Sequence, residues 1–415
     1  MDLLEKNPPP DDVVPAPPNL RQALFSVPVC FLFMFHPLFR GCWDLWAQAL
    51  VTFAWAVLAI FAGLFLIRKT EREDSLHEIQ IPLTLFLLVS FLSSSFSRFP
   101  HSAVPAFLAD GTALAFFVFF LISTPLWRAR YLRALAGGGT VAAFLALFQL
   151  HLHPHAPPTG PFVNPNLLAA YLLLTLPLTG ALLLDETSRS SRLIWGGALL
   201  AQTAVLFSTA SFMAFLALLA EGLCLALWPA SPVSAKRRKI LLALTAGAAV
   251  GGLVFFRHDW ARLIHWEADR TAWWRTAFQM WLNNPLWGVG PGAFGEAYPG
   301  YRADPLGLNS LYAHNVFLEW LAERGGAGAG AALFLIFLLW IGRRRNAAEN
   351  KFTVPVLTAM GGFLFFNAAH FGLSFPSLYW VFWSLAGYLW ATAAPPPDRG
   401  GRTEKSRRAL RTGLL

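Results

Sequence analysis

The chain reads as an all-α, polytopic membrane protein, and three observations carry that reading. Its 415 residues are 56% apolar and only 13% charged, where ordinary soluble domains carry about 25% charged residues. A single soluble core stops growing at roughly 250–300 residues, so so apolar a chain of this length is not one large globular unit. Apolar runs of the roughly 20 residues that a bilayer-spanning helix needs recur along nearly the whole sequence.

Those runs predict helices at 23–39, 45–67, 79–97, 103–124, 132–150, 165–184, 193–208, 210–229, 240–256, 313–341, 352–371 and 374–394. The first is short, and the pair flanking Ser208 to Ser211 is barely separated. The expectation is therefore about twelve spans, within a range of ten to thirteen. Residues 1–22 are polar and Pro-rich; they read as a disordered cytoplasmic N-terminus without a cleavable signal peptide.

Orientation follows from Lys and Arg. With both termini inside, twenty-four of the 32 basic residues, including every lysine, fall in cytoplasmic segments. Eight arginines remain outside: Arg40, Arg98, Arg257, Arg262, Arg270, Arg275, Arg302 and Arg324. This bias accounts for the net charge of +9 without nucleic acid, and the basic tail, 395–415, is expected against anionic lipid. Cys30, Cys42 and Cys224 are scattered and suggest neither a disulfide framework nor a zinc site.

The same assignment leaves one large external loop, 257–312, between spans one to nine (23–256) and spans ten to twelve (313–394). Loops that long are usually functional. Within it, Trp274, Phe278, Met280, Trp281 and Leu282 recur at near-helical spacing, so 268–282 is expected to be an amphipathic helix lying in the interface. Asn284-Pro285 ends it, and Gly288, Gly290 and Gly292 form a tight turn. Arg270 and Arg275 present planar, permanently charged forks suited to phosphate oxygens. They read either as a clamp for a lipid-linked phosphate or as arginines that snorkel or pair with Asp269 or Glu267.

The loop closes on LYAHNVFLEWLAERGGAG, residues 311–328. A helix starting at 313 puts Asn315 and Glu319 one turn apart, with His314 beside Leu318 and Leu321. His314 is suited to take a proton from a hydroxyl, or it caps the re-entering helix. Gly325, Gly326, Gly328 and Gly330 are expected to let a neighbouring helix approach closely. In GPFVNPN, Gly160, Asn164 and Asn166 punctuate the entry to the sixth helix, with Asn166 as its expected cap. His151, His153 and His155 lack a carboxylate or Cys partner and are not read as metal ligands. Asp110, Asn367 and His370 are expected near external helix ends as packing groups, and Glu221 towards the cytoplasmic side.

Taken together the motifs resemble the bacterial O-antigen ligase and polymerase family. That family joins His-Asn, nine residues and Gly-x-x-Gly, here His314, Asn315, Gly325 and Gly328. It also carries Arg, three residues and Trp, then Pro-hydrophobic-x-Gly-Val-Gly, here Arg270, Trp274 and PLWGVG with Gly288 and Gly290. The segment GPFVNPNLLA looks like a third shared stretch, so the likeness runs from about 160 to 330. One departure stands out. Members commonly place Ser-Arg at the turn between helices seven and eight, where this chain has Ala210 and Ser211. Arg275, Arg302 or Arg324 would then have to grip the donor, the donor would differ, or activity would be lost.

The resemblance implies a C-type glycosyltransferase-like fold in the bacterial inner membrane, with the active site facing the periplasm. It implies inverting transfer of a glycan from undecaprenyl diphosphate to a hydroxyl of lipid A core or another glycan, without metal, nucleotide or other cofactor. Arg270 and His314 would be catalytic, and Arg270, Arg275 and Asn315 would hold the diphosphate. Trp274, Gly288, Gly290, Glu319, Gly325, Gly328, Asn164 and Asn166 would shape or line the site. A polymerase acting on the same donor is the nearest alternative. A transporter or flippase is a more distant one, and it predicts ionisable residues midway along helices. A catalytically dead scaffold is the third.

Overall fold

The computed structural model describes residues 20–65, 73–228, 231, 233–256, 260–302, 309–342 and 350–393. The expected disordered N-terminus, up to residue 19, and the basic tail lie outside these residues. Among the described residues there are helices and no strands. In chain order the helices are α1 (Leu20–Phe35), α2 (Leu45–Phe65), α3 (Glu73–Ser95), α4 (Pro100–Ile122) and α5 (Pro125–Leu152). Then come α6 (Pro165–Asp185), α7 (Arg189–Ser208), α8 (Phe212–Leu227), α9 (Ala235–Phe255) and α10 (Trp260–Asn283). The last four are α11 (Phe294–Tyr301), α12 (Val316–Gly342), α13 (Thr353–Asn367) and α14 (Pro376–Ala393). A helix thus overlies each of the twelve apolar runs, with α10 and α11 added in the long loop.

Four of the described helices, α4, α5, α6 and α9, are long and apolar enough to cross a membrane by length and composition. Proline opens α4, α5 and α6, where its missing N–H belongs to the first turn and leaves no bond unmade. Helix α6 is the hub. It packs against α5, α7, α8 and α13, and its residues from Leu167 to Thr179 are buried without interruption. At the other extreme, α9 exposes Ile240, Leu244, Val250, Leu253 and Phe255. Exposed apolar rows of that size mark a surface that meets lipid or protein.

Where helices meet lipid tails, apolar burial no longer drives association, and packing and interhelical hydrogen bonds take over. The centre of the bundle shows both. Gln202 on α7 donates to Thr179 of α6 and Thr140 of α5 at 3.0 and 3.1 Å and accepts from Thr175 at 3.0 Å. Helix α14 lies along α4, with Trp380 and Trp383 fully buried between and Trp380 stacked on Phe116 at 6.0 Å.

Three expectations about this framework need correcting. Helix α10 starts at Trp260, earlier than the expected 268. Its buried face is Thr276, Ala277 and Met280, while Phe278 and Leu282 are exposed, because α10 packs against α11 and α12 along the small residues. Asn164 caps α6, not Asn166: its Oδ1 accepts the Leu167 N–H at 2.9 Å, and Asn166 sits inside the first turn behind Pro165. Asp110 lies in the middle of α4 rather than near a helix end.

Candidate functional site

The site is built where α12 breaks. Gly325 adopts φ 63° and ψ −172° inside that helix, a region essentially restricted to glycine. A broken helix leaves backbone donors and acceptors that need partners, and the Pro285–Gly292 turn supplies them. The N–H groups of Val289 and Gly290 donate to the carbonyls of Ala322 and Glu323 at 2.9 and 2.8 Å. In return, Gly326 and Ala327 donate to Pro285 and Leu286 at 2.8 and 3.2 Å. The Glu323 carboxylate completes the joint by accepting the N–H groups of Gly292 and Phe294 at 2.9 and 3.0 Å.

The approach is so close that side chains are excluded. A Cβ on Gly288 would lie 2.3 Å from the Glu323 carbonyl, and one on Gly325 2.3 Å from the Leu286 oxygen. The glycines of PLWGVG and of Gly-x-x-Gly therefore belong to one joint. This corrects the expectation of helix–helix contact: Gly325 and Gly326 face the turn, Gly328 faces the Arg324 side chain, and Gly330 has no neighbour within 4 Å.

Upstream of the break, α12 begins at Val316, so His314 precedes the helix rather than standing on it beside Leu318 and Leu321. Asn315 is the cap. Its Oδ1 accepts from the N–H groups of Phe317 and Leu318 at 3.1 and 3.2 Å, satisfying donors that have no partner in a first turn. Glu319 is buried and folds back: Oε2 accepts the Ala313 N–H at 2.7 Å, and Oε1 accepts the Ser374 hydroxyl. These bonds hold the corner in which His314 has φ 52°, a conformation unusual for a residue with a Cβ.

That corner delivers the imidazole into an aromatic slot. His314 stacks on Trp273 of α10, with ring centroids 4.7 Å apart and 25° between planes. Phe371 meets it edge-on at 4.8 Å, and His370 is 6.2 Å away, itself stacked on Phe366 at 4.3 Å. The Nδ1 atoms of both histidines are buried without a hydrogen-bond partner. Burial, and then the nearby charge of Arg270, lowers His314 from 6.5 to about 4. The same two causes, in that order, with His314 added, hold His370 well below its ordinary value. Both imidazoles are neutral at pH 7, beside a guanidinium that is only half-buried. The cluster therefore offers a fixed positive charge, an aromatic wall and a nitrogen base, a set suited to an anion and an adjacent hydroxyl.

The other sequence-predicted residues fall around this cluster in different ways. Trp274 is half-buried with its indole N–H buried and unpartnered; it is its neighbour Trp273 that reaches the histidine. Arg275 is exposed on α10. Arg302 donates to Asn309 Oδ1 at 2.7 Å. Arg324 is buried in a fork-to-fork pair with Asp110, one arm at 3.2 Å, where Tyr379 adds a hydroxyl bond to Asp110 at 2.8 Å and Ser90 another. Asn367 is likewise structural, accepting from Leu373 at 2.8 Å and donating to Phe363 at 2.7 Å. Sequence reasoning missed Trp273 and Phe371 and read His370 as a packing group. The doubled Trp at 273–274 and the His-Phe pair at 370–371 were the only local signals.

No curated protein matches this chain. Residues 197–331, about a third of the sequence and the stretch holding Arg270, the glycine turn, His314 and Gly328, match the O-antigen ligase family.

Proposed function

We propose that this protein transfers a glycan from a polyprenyl diphosphate to an acceptor hydroxyl at the His314 cluster. The family match suggests ligase- or polymerase-type activity, and together with the apolar helices it indicates an integral membrane protein. The observation that carries the finer reading is the neutral imidazole of His314, its Nδ1 buried and without a hydrogen-bond partner, held against Trp273 within the field of Arg270.

The chemistry asks little of the protein. The acceptor O–H gives its proton to His314 while its oxygen bonds to the anomeric carbon; the bond from that carbon to the diphosphate oxygen breaks, and the polyprenyl diphosphate leaves with the electron pair. Direct displacement inverts the anomeric centre. A diphosphate is already a good leaving group, so the residue that matters for it is a charge placed where negative charge grows. Arg270 fills that role, and the imidazolium formed at His314 adds to it. Trp273 fixes the imidazole plane and offers its face to the sugar. The reading needs no nucleotide or metal, and it sets the active site at the periplasmic face of the inner membrane.

The mid-helix pair of Asp110 and Arg324 is what a transporter would display. Its groups are fully engaged by each other, Ser90 and Tyr379, which makes it a clamp between α3, α4, α12 and α14 rather than a relay. The test is reconstitution with a polyprenyl-diphosphate glycan and lipid A core. Core-linked product that is lost in folded His314→Ala and Arg270→Ala supports ligation. Lengthened polyprenyl-linked glycan identifies a polymerase, and no product across several donors overturns the transferase reading.

A further inference from the structure

A second concavity, about 350 Å³ in volume, starts at Tyr312. It is entered past the exposed Leu45, Leu311 and His101 and ends on the buried Asp110, Arg324 and Tyr379. Its volume falls in the range of small-molecule pockets, and its chemistry is unlike that of the His314 cluster. The guanidinium on its wall is committed, Arg324 being held by Asp110, and the His101 ring sits 2.8 Å from Glu296. A phosphate finds no open positive partner there. Metal is no better served, for among the described residues no group of three or more His, Cys, Asp or Glu stands close enough to hold an ion.

What the walls do offer is acceptors and aromatic faces. Glu319 and Glu323 line the cavity, and each of their four carboxyl oxygens accepts one hydrogen bond from the protein. A carboxyl oxygen can accept more than one hydrogen bond, so these oxygens keep acceptor capacity beyond the bonds the protein makes. The Tyr312 hydroxyl makes no hydrogen bond to the described residues; burial, then Glu319 and Glu323, hold it well above its ordinary pKa, so it stays protonated. Trp43, Trp320 and Tyr379 complete the aromatic walls.

The cavity is also wired to the histidine by rings. Trp43 stands 6.2 Å from Tyr312, Tyr312 stacks flat on Phe371 at 4.3 Å, and Phe371 meets His314 at 4.8 Å. Many hydroxyl donors for the carboxyl oxygens, and flat apolar C–H faces for the aromatic walls, are together the chemistry of a sugar.

We propose that this cavity seats the acceptor, a polyhydroxylated glycan, with its reacting hydroxyl turned along the ring row towards His314, while the diphosphate lies at Arg270. The assignment rests on the transferase reading, and the test separates the two. Purified full-length protein in nanodiscs is titrated calorimetrically with delipidated lipopolysaccharide core oligosaccharide, without donor. Saturable binding is expected, weakened about fivefold by Tyr312→Phe, the loss of one hydrogen bond, and also by Gln48→Leu, which removes another polar side chain from the cavity lining. Tyr312→Phe breaks no bond to the described residues, so its fold is preserved. In the transfer assay it should raise the acceptor KM and leave the donor KM unchanged. Transfer by a wild type whose oligosaccharide binding ignores both substitutions overturns the cavity and spares the transferase. Binding that responds to both substitutions without any transfer supports the sugar site and sinks the transferase. Binding of inorganic pyrophosphate in competition with the oligosaccharide overturns the division into two sites.

Discussion

Replacing Gly325 by alanine tests whether the broken helix and the glycine turn are one joint. At φ 63° and ψ −172° an alanine carries backbone strain of about 1–3 kcal/mol. Its Cβ would also lie 2.3 Å from the Leu286 carbonyl oxygen, a backbone atom that cannot swing away as a side chain can. The turn must retreat, lengthening the bonds from Gly326 to Pro285 and from Ala327 to Leu286, each contributing about 0.5–1.5 kcal/mol. The expected loss is about 2–6 kcal/mol in total. Gly330→Ala is the control: nothing lies within 4 Å of its Cβ, so it should be neutral or stabilise by up to about 1 kcal/mol. Thermal unfolding of the solubilised protein, followed by tryptophan fluorescence, reads both, and glycan transfer reads the displacement of Trp273 from His314. A Gly325→Ala protein that melts with the wild type would refute the joint.

Further outcomes follow from the same geometry. Asn164→Ala should lower stability by about 1 kcal/mol through the lost cap, whereas Asn166→Ala should leave the melting temperature unchanged; the reverse order would return the cap to Asn166. Asp110→Ala should cost about 3–5 kcal/mol by stranding Arg324, with part of it recovered in Asp110→Ala/Arg324→Met when the two are melted side by side. For His314, lowered from 6.5 to about 4, the unfolded chain takes up a proton before the folded one. Its contribution to stability is therefore constant above pH 6.5 and falls between pH 6.5 and 4. The base stays free over the same window, so the acid limb of kcat/KM should lie below pH 5, and a limb near 6.5 would contradict the burial of the ring. Trp273→Ala should reduce kcat about tenfold or more in single-turnover assays with folding intact, while Trp274→Phe should be milder.

Much of this architecture was legible because it is local. Apolar runs of span length located a helix over every one of the twelve segments, and Asn284-Pro285 with three glycines marked the turn. The family motifs were legible too, since His314-Asn315 and Gly325-x-x-Gly328 are fixed by spacing along one stretch of chain. What spacing does not encode is which distant stretches meet. Trp273, His314 and Phe371 are nearly a hundred residues apart in sequence and share one slot only after α10, α12 and α13 pack. The choice of Trp273 over Trp274 depends on a helical phase that two adjacent tryptophans cannot reveal. The resemblance places Asn315 at the diphosphate, and apolar spacing starts the helix at 313; that α12 begins at Val316, with Asn315 as its cap, is a boundary spacing leaves open. Asp110 reads as a packing group and Arg324 as an external charge, because a buried pair between α4 and α12 has no local signature.

The docked turn also bears on the order of assembly. The Pro285–Gly292 turn leaves the ribosome before the segment it clasps, so its amides and carbonyls are ready when Ala322–Ala327 arrives. The break in α12 can thus be templated by chain already in place, and the stretch carrying His314 is drawn tight as that clasp closes. A lesion in either partner would be expected to show first as a protein that inserts but is cleared, before any fault in its chemistry could be measured.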